Sequence, residues 1–144
     1  AITRLRDMGV ETYLMASTLR AVMAQRLVRR LCPSCKTACT PTQADIETLD
    51  LTPDAQINLY EPNGCIACNH TGFEGRLGVY ELLVVDPAIR RMIHEDASED
   101  QIEQAAFETH GTLIVNAREY VVNGETRIAE MLRVCRQQDR DGSL

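Results

Sequence analysis

"RRLCPSCK", residues 29–36, runs from two arginines straight into the close cysteine pair Cys32 and Cys35. Two residues between cysteines let both sulfurs face one tetrahedral ion from a tight turn, and Pro33 stiffens that turn. A second pair of the same spacing, Cys65-Ile66-Ala67-Cys68, follows after an intervening 29 residues. Zinc sites of this type more often show roughly 15 to 20 residues there. The excess fits a helix inserted between the pairs, over about 41–51. Four thiolates close the coordination sphere and leave no position for water or substrate. The expected ion is therefore a structural zinc, held at about 2.3 Å from each sulfur by Cys32, Cys35, Cys65 and Cys68. In a small, loop-rich lobe such an ion supplies folding energy that a tiny core does not.

Three rival readings remain open at this point. Two disulfides would suit an exported protein, and nothing here marks export. A redox C-x-x-C needs one exposed pair rather than two matched ones. An iron–sulfur cluster takes four thiolates too, but in other spacings. Within the zinc reading, Cys39 and His70 lie close enough in sequence to substitute as ligands. Cys135 reads as a small buried hydrophobe on a helix face.

Working outward, the chain has 144 residues, 44% hydrophobic and 25% charged, which is a globular balance rather than a disordered one. No apolar run approaches the roughly 18 to 20 residues of a membrane span. Arg4, Arg6 and Asp7 break up the opening residues, so they do not read as a signal peptide. The first residue is Ala1, inside what reads as a helix, and the sequence is expected to be a piece of a longer protein. Charge is uneven. Residues 1–36 carry +5 and residues 37–144 carry −11, within a net charge of −6. An acidic body speaks against wrapping nucleic acid, and an aromatic content of 4% offers few stacking platforms. The basic residues Arg26, Arg29, Arg30 and Lys36 read as a solvated helix face, or as a surface for an acidic partner or lipid head groups.

That helix face follows from periodicity. Met15, Leu19, Met23, Leu27 and Leu31 recur every fourth residue with no Gly or Pro between, so the pattern predicts one helix over 12–31. Thr40-Pro41-Thr42-Gln43 reads as a capped start of a short helix ending near Leu51. A short strand is expected at 57–60. "GVYELLVV", residues 78–85, reads as a mostly buried strand. Asp86-Pro87 starts a helix through His94, and Ser98-Glu99-Asp100-Gln101 opens another that stops at Gly111. A helix over about 112–122 ends at Asn123-Gly124. The last starts at Thr126, with Ile128, Met131, Leu132 and Cys135 on one face and "QQDRDGSL" frayed beyond it.

Catalytic motifs are missing. There is no G-x-x-x-x-G-K-[ST], G-x-G-x-x-G or H-E-x-x-H, and Lys36 is the sole lysine. His94 and His110 read as surface or cap residues, and Glu81 as an ion-pair partner of Arg76. No catalytic residue is expected, and the chain by itself should hydrolyse nothing.

"ITRLRDMGVE", "AQRLVRRLC", "CPSC", "CIACNHTGFEGRLGVYELL" and "GETRIAEMLRV" together resemble the C-terminal part of the type II secretion ATPases, the general secretion pathway E proteins, and their type IV pilus assembly relatives. The resemblance spans roughly residues 2–136. It implies an α/β parent: the tail of a RecA-like ATPase core over 1–31, a tetracysteine zinc lobe over 32–69, and a returning strand with a mainly α-helical C-terminal lobe over 70–144. By motif match the four paired cysteines are the zinc ligands, while Gln25, Arg26 and Leu27 are structural or interfacial. The ATP and Mg site of the parent would lie outside this chain. The parent is expected to be a cytoplasmic homo-hexamer, peripheral at the inner membrane through secretion-platform partners, using ATP hydrolysis for pseudopilus assembly. A zinc-ribbon nucleic-acid module is the alternative from another class. One departure stands out: Arg127 follows Thr126 where the family more often has serine.

Overall fold

The computed structural model of the protein describes residues 1–52, 57–107 and 112–141. In order these form helix α1 (Ile2–Asp7), α2 (Thr12–Thr18), strand β1 (Ala21–Leu31), β2 (Thr37–Cys39), α3 (Gln43–Leu49), β3 (Leu59–Glu61), a 3-10 turn (Ile66–Cys68), β4 (Phe73–Val84), α4 (Pro87–His94), α5 (Glu99–Phe107), α6 (Leu113–Val122) and α7 (Ile128–Asp141). The class is mixed α/β. Among the described residues β1 pairs with β4 and β2 pairs with β3.

The helix expected over 12–31 is corrected. Only Thr12–Thr18 is helical, and Ala21–Leu31 is a strand of 11 residues. Leu19 already has extended backbone, at φ −64 and ψ 132. The Ser17 and Thr18 hydroxyls both donate to the Leu14 carbonyl, competing with the backbone where the helix stops. The period-four stripe misled because residues four apart share a face in a strand as well as in a helix. Pairing with β4, more than forty residues on, settles the matter in favour of the strand.

Two compact units emerge, one from Ala1–Ala24 with Tyr80–Thr112, the other from Gln25–Val79 with the chain from Leu113 on. In the first, Ile2, Met15, Ala16, Val85, Ile89, Ile93, Ile102 and Ala106 form one buried cluster. Helix α4 forms as expected, because the Asp86 carboxylate accepts from Ile89 N at 2.8 Å and Pro87 takes the first turn. Ser98 and Gln101 make the reciprocal contacts expected ahead of α5. Its expected stop at Gly111 lies outside the described residues, as do His110 and the last three residues of the tail. Strand β4 begins at Phe73, five residues before the expected start, and it is not mostly buried: Tyr80, Leu82 and Val84 are exposed.

In the second unit the capped start of α3 lies two residues later than expected. Thr42 is the cap, and the box partner is Asp45. Helices α6 and α7 pack beside the cysteine-bearing segment. Leu113, Ala117, Val121, Met131 and Val134 are buried there, as are Thr126 and Glu130. The Thr126 hydroxyl donates to Arg29 O at 2.7 Å, and Leu31 N donates to Glu125 O at 2.8 Å. The loop before α7 thus satisfies backbone groups of β1. Glu130 carries this further: it accepts from Arg29 N at 3.0 Å and from the Arg29 guanidinium at 2.7 Å. Arg133 donates to the same carboxylate at 3.2 Å and to Leu27 O at 3.0 Å.

Candidate metal centre

The first cysteine pair begins directly after β1, and the second lies at the 3-10 turn between β3 and β4. Cys32 directly follows β1, and its N–H donates to Gly72 O at 3.0 Å, just ahead of β4. The first knuckle closes through Cys35 N and Lys36 N, which both donate to Cys32 O. The second closes through His70 N to Cys65 O at 2.8 Å and Asn69 N to Ile66 O at 3.1 Å. Asn69 and His70 both have positive φ, at 50° and 61°, which turns the chain sharply after Cys68.

The result is a compact set of four sulfurs. Each lies within 4.8 Å of every other. Cys35–Cys68 and Cys65–Cys68 are 3.8 Å apart and Cys32–Cys65 4.0 Å, so no pair is a disulfide. The edge of a tetrahedron with metal–sulfur bonds of about 2.3 Å is about 3.8 Å, so these three spacings are those a tetrathiolate ion needs. Cys32 and Cys68 are buried, Cys35 and Cys65 half-buried.

The backbone prepares this centre for negative charge. Gly64 N donates to Cys35 Sγ at 3.3 Å, while Cys65 N and Gly72 N each donate to Cys68 Sγ at 3.2 Å. Burial pushes the Cys68 thiol up, but the two N–H donors and the neighbouring Cys65 and Cys35 thiols outweigh it and bring it down to about 6. At Cys35 burial wins over the single Gly64 donor. With the adjacent thiols opposing a further charge, that group rises to about 11. A cation among the sulfurs would allow all four to ionise together.

Two glycines are required here. A Cβ at Gly64, where φ is +101°, would sit 2.8 Å from His70 O. One at Gly72, where φ is +77°, would collide with Pro62. Sequence reading takes Gly72 only as one of the glycines punctuating a turn-rich stretch, and it passes over Gly64 and the N–H donors that both carry. The glycines themselves were the available signal, since each flanks the second knuckle.

Cys39 and His70 are not in the sulfur cluster. Cys39 stands opposite Leu59 in the β2–β3 pair, where burial and then the Glu61 and Asp45 carboxylates push its thiol up. Cys135 is half-buried rather than buried. His94 is exposed.

The surrounding contacts tie the centre to the later helices. Lys36, next to the first knuckle, donates to Gly124 O at 2.7 Å and lies 4.5 Å from the Tyr60 ring centroid. Gly124, at φ +68°, gives the tight approach this needs, since a Cβ would meet the Tyr60 ring at 2.5 Å. Arg127 pairs with Glu61 of β3 at 2.9 Å. Arg29, Arg30 and Arg26, expected on a helix face, stand on strand β1. Arg29 pairs with Glu130 and lies 4.0 Å over the Phe73 ring, while Arg30 approaches Glu125 at 3.8 Å. Among the described residues, no helix is long and apolar enough to cross a membrane.

Comparison with known proteins places this geometry in context. The sequence model of the family described as "Type II/IV secretion system protein" matches residues 1–133. Type II secretion system protein E of Aeromonas hydrophila is 42% identical over 139 residues, covering 95% of this chain and 27% of that protein. Type II secretion system ATPase E of Vibrio cholerae is 41% identical over 140 residues, covering 95% and 27%. Type IV pilus assembly ATPase TfpB of Acinetobacter baylyi is 37% identical over 143 residues, covering 93% and 23%. The chain thus spans about a quarter of the length of these relatives.

Proposed function

Since the chain belongs to the type II/IV secretion system protein family, we propose that it is the C-terminal part of a type II secretion ATPase. In this reading Cys32, Cys35, Cys65 and Cys68 are the ligands of one zinc ion. The observation that carries it is the clustering of the four sulfurs, all within 4.8 Å of one another and 3.8 to 4.0 Å apart along three edges, in a chain of this family. A closed tetrathiolate zinc contributes folding energy and no chemistry on substrate.

The chain's own residues then have a mechanical part. Gly64, Cys65 and Gly72 supply N–H groups to the thiolates. Lys36 and Arg127 hold the metal lobe to Gly124 and the start of α7 through the carbonyl and Glu61 contacts. The proposed division is 1–31 as the tail of a RecA-like core, 32–69 as the zinc lobe and 70–144 as returning strand and helical lobe. The whole protein would bind ATP and Mg outside this chain and work as a cytoplasmic homo-hexamer. It would sit at the inner membrane through secretion-platform proteins and drive pseudopilus assembly.

The similarity to a pilus assembly ATPase favours a second reading, in which the same machine builds a type IV pilus. Deletion of the gene in its native host separates the two. Loss of exoproteins from the medium with pili intact supports the first. Loss of pili with secretion intact supports the second. The full-length protein should turn over ATP in vitro, and turnover by the 144-residue chain alone would contradict the placement of the nucleotide site.

A further inference from the structure

We propose that the four-sulfur centre is a peroxide-responsive switch: oxidation joins Cys35 to Cys68 and Cys65 to Cys32, expels the metal and leaves the two knuckles stapled by disulfides. The inference rests on the reading of the centre as a zinc tetrathiolate.

Burial divides the four sulfurs into two kinds. Cys35 and Cys65 are half-buried, whereas Cys32 and Cys68 are buried. The chain around the first two is open: Pro33, Ser34 and Ala67 are exposed, and Ile66 is 84% exposed. Each accessible sulfur has a buried one of the opposite knuckle beside it. Cys35 Sγ lies 3.8 Å from Cys68 Sγ, and Cys65 Sγ lies 4.0 Å from Cys32 Sγ. An accessible thiolate that meets the oxidant, next to a second that resolves the product, is the arrangement of a redox-sensing pair. Here it occurs twice, and the two pairs use every sulfur once.

The chemistry balances. The Cys35 thiolate attacks one oxygen of hydrogen peroxide, the O–O bond breaks, hydroxide leaves and Cys35 becomes a sulfenic acid. The Cys68 thiolate then attacks the Cys35 sulfur. The S–S bond forms, the S–O bond breaks and a second hydroxide leaves. Cys65 and Cys32 repeat the sequence with a second peroxide. Four thiolates lose four electrons, and the two peroxides gain them. The zinc ion departs because its ligands must be thiolates and a disulfide sulfur carries no charge.

One contact competes. Cys65 Sγ also lies 3.8 Å from Cys68 Sγ, inside one knuckle. A disulfide there joins residues three positions apart, whereas the cross-knuckle pairs join residues 33 positions apart. The longer closed loop constrains the unfolded chain more, so the cross-knuckle product favours the folded lobe. The lobe also has contacts that do not need the metal. Strand β2 pairs with β3, Lys36 donates to Gly124 O, and Arg127 pairs with Glu61. These keep the knuckles facing each other as the ion leaves.

The test uses the full-length protein purified under reductant, with Cys39→Ser and Cys135→Ser removing the thiols of this chain outside the centre. Zinc content is measured first. Hydrogen peroxide is then added in steps, zinc release is followed with a chromophoric indicator, and disulfides are mapped by tandem mass spectrometry. The expected result is release of one zinc per chain, links between Cys35 and Cys68 and between Cys65 and Cys32, and recovery of zinc binding after dithiothreitol. Any other pairing, sulfinic acids in place of disulfides, or zinc retained in a large excess of peroxide would overturn the proposal. Absence of zinc before peroxide would sink the zinc reading separately, and cross-knuckle disulfides formed in that protein would still uphold the pairing.

Discussion

Replacing Glu130 with glutamine keeps the side-chain shape and removes one buried charge. The carboxylate is 3% exposed and collects the Arg29 backbone N–H, the Arg29 guanidinium and the Arg133 guanidinium. Burial by itself pushes the Glu130 carboxyl up. The Arg29 side chain, the Arg29 backbone N–H and then Arg133 outweigh that and hold it at about 2, against an ordinary value of 4.5. At about 1.4 kcal/mol per pKa unit, this favours the folded state by roughly 3 kcal/mol at neutral pH. Arg29 is half in solvent, so screening makes that an upper figure. The sign follows from the depressed folded value. The stabilisation is complete above the unfolded value near 4.5 and is lost as pH falls through it toward 2. Urea unfolding of both proteins from pH 7 to pH 3 measures the difference directly. Acid also protonates the cysteines, but equally in both proteins, so the difference isolates Glu130. The expected gap is about 2 to 3 kcal/mol at pH 7, narrowing below pH 4.5. A gap under about 0.5 kcal/mol at pH 7, or one that stays constant with pH, would refute the argument.

Two further outcomes follow from the same contacts. Gly72→Ala forces a side chain into a positive-φ position against Pro62 and disturbs the N–H donor to Cys68. It should cost at least about 2 kcal/mol and weaken metal retention in a chelator competition, whereas Gly75→Ala, with open space around its Cβ, should leave metal retention unchanged. Arg127→Ser removes an ion pair whose two side chains are 32% and 50% exposed. Denaturant unfolding should show a loss of no more than about 0.5 kcal/mol, and a loss above about 2 kcal/mol would mean the pair is more than a surface contact.

The clustering of Cys32, Cys35, Cys65 and Cys68 was legible because its signal is local. Two residues between cysteines set each knuckle, and two matched knuckles imply a common ion. Proline at Pro87, and cap residues at Asp86 and Ser98, made other local features legible for the same reason. Strand β1 was illegible because its pattern is degenerate: Met23, Leu27 and Leu31 share a face at either period, and the deciding partner, β4, is remote in sequence. The same remoteness hid Glu130. A glutamate in a helical stripe reads as solvent-facing until Arg29, about a hundred residues earlier, is placed beside it. Leu82 shows the converse. An apolar residue in a strand-favouring run reads as buried, yet it is 42% exposed.

The most direct test is metal content and coordination of the purified protein, by native mass spectrometry with X-ray absorption at the zinc edge. The account predicts one zinc per chain with four sulfur neighbours at about 2.3 Å. It also predicts that Cys65→Ser loses the ion while Cys39→Ser keeps it. A chain free of metal and lighter by about four protons would mean two disulfides in place of the ion. Zinc lost on replacing Cys39 would contradict the ligand set.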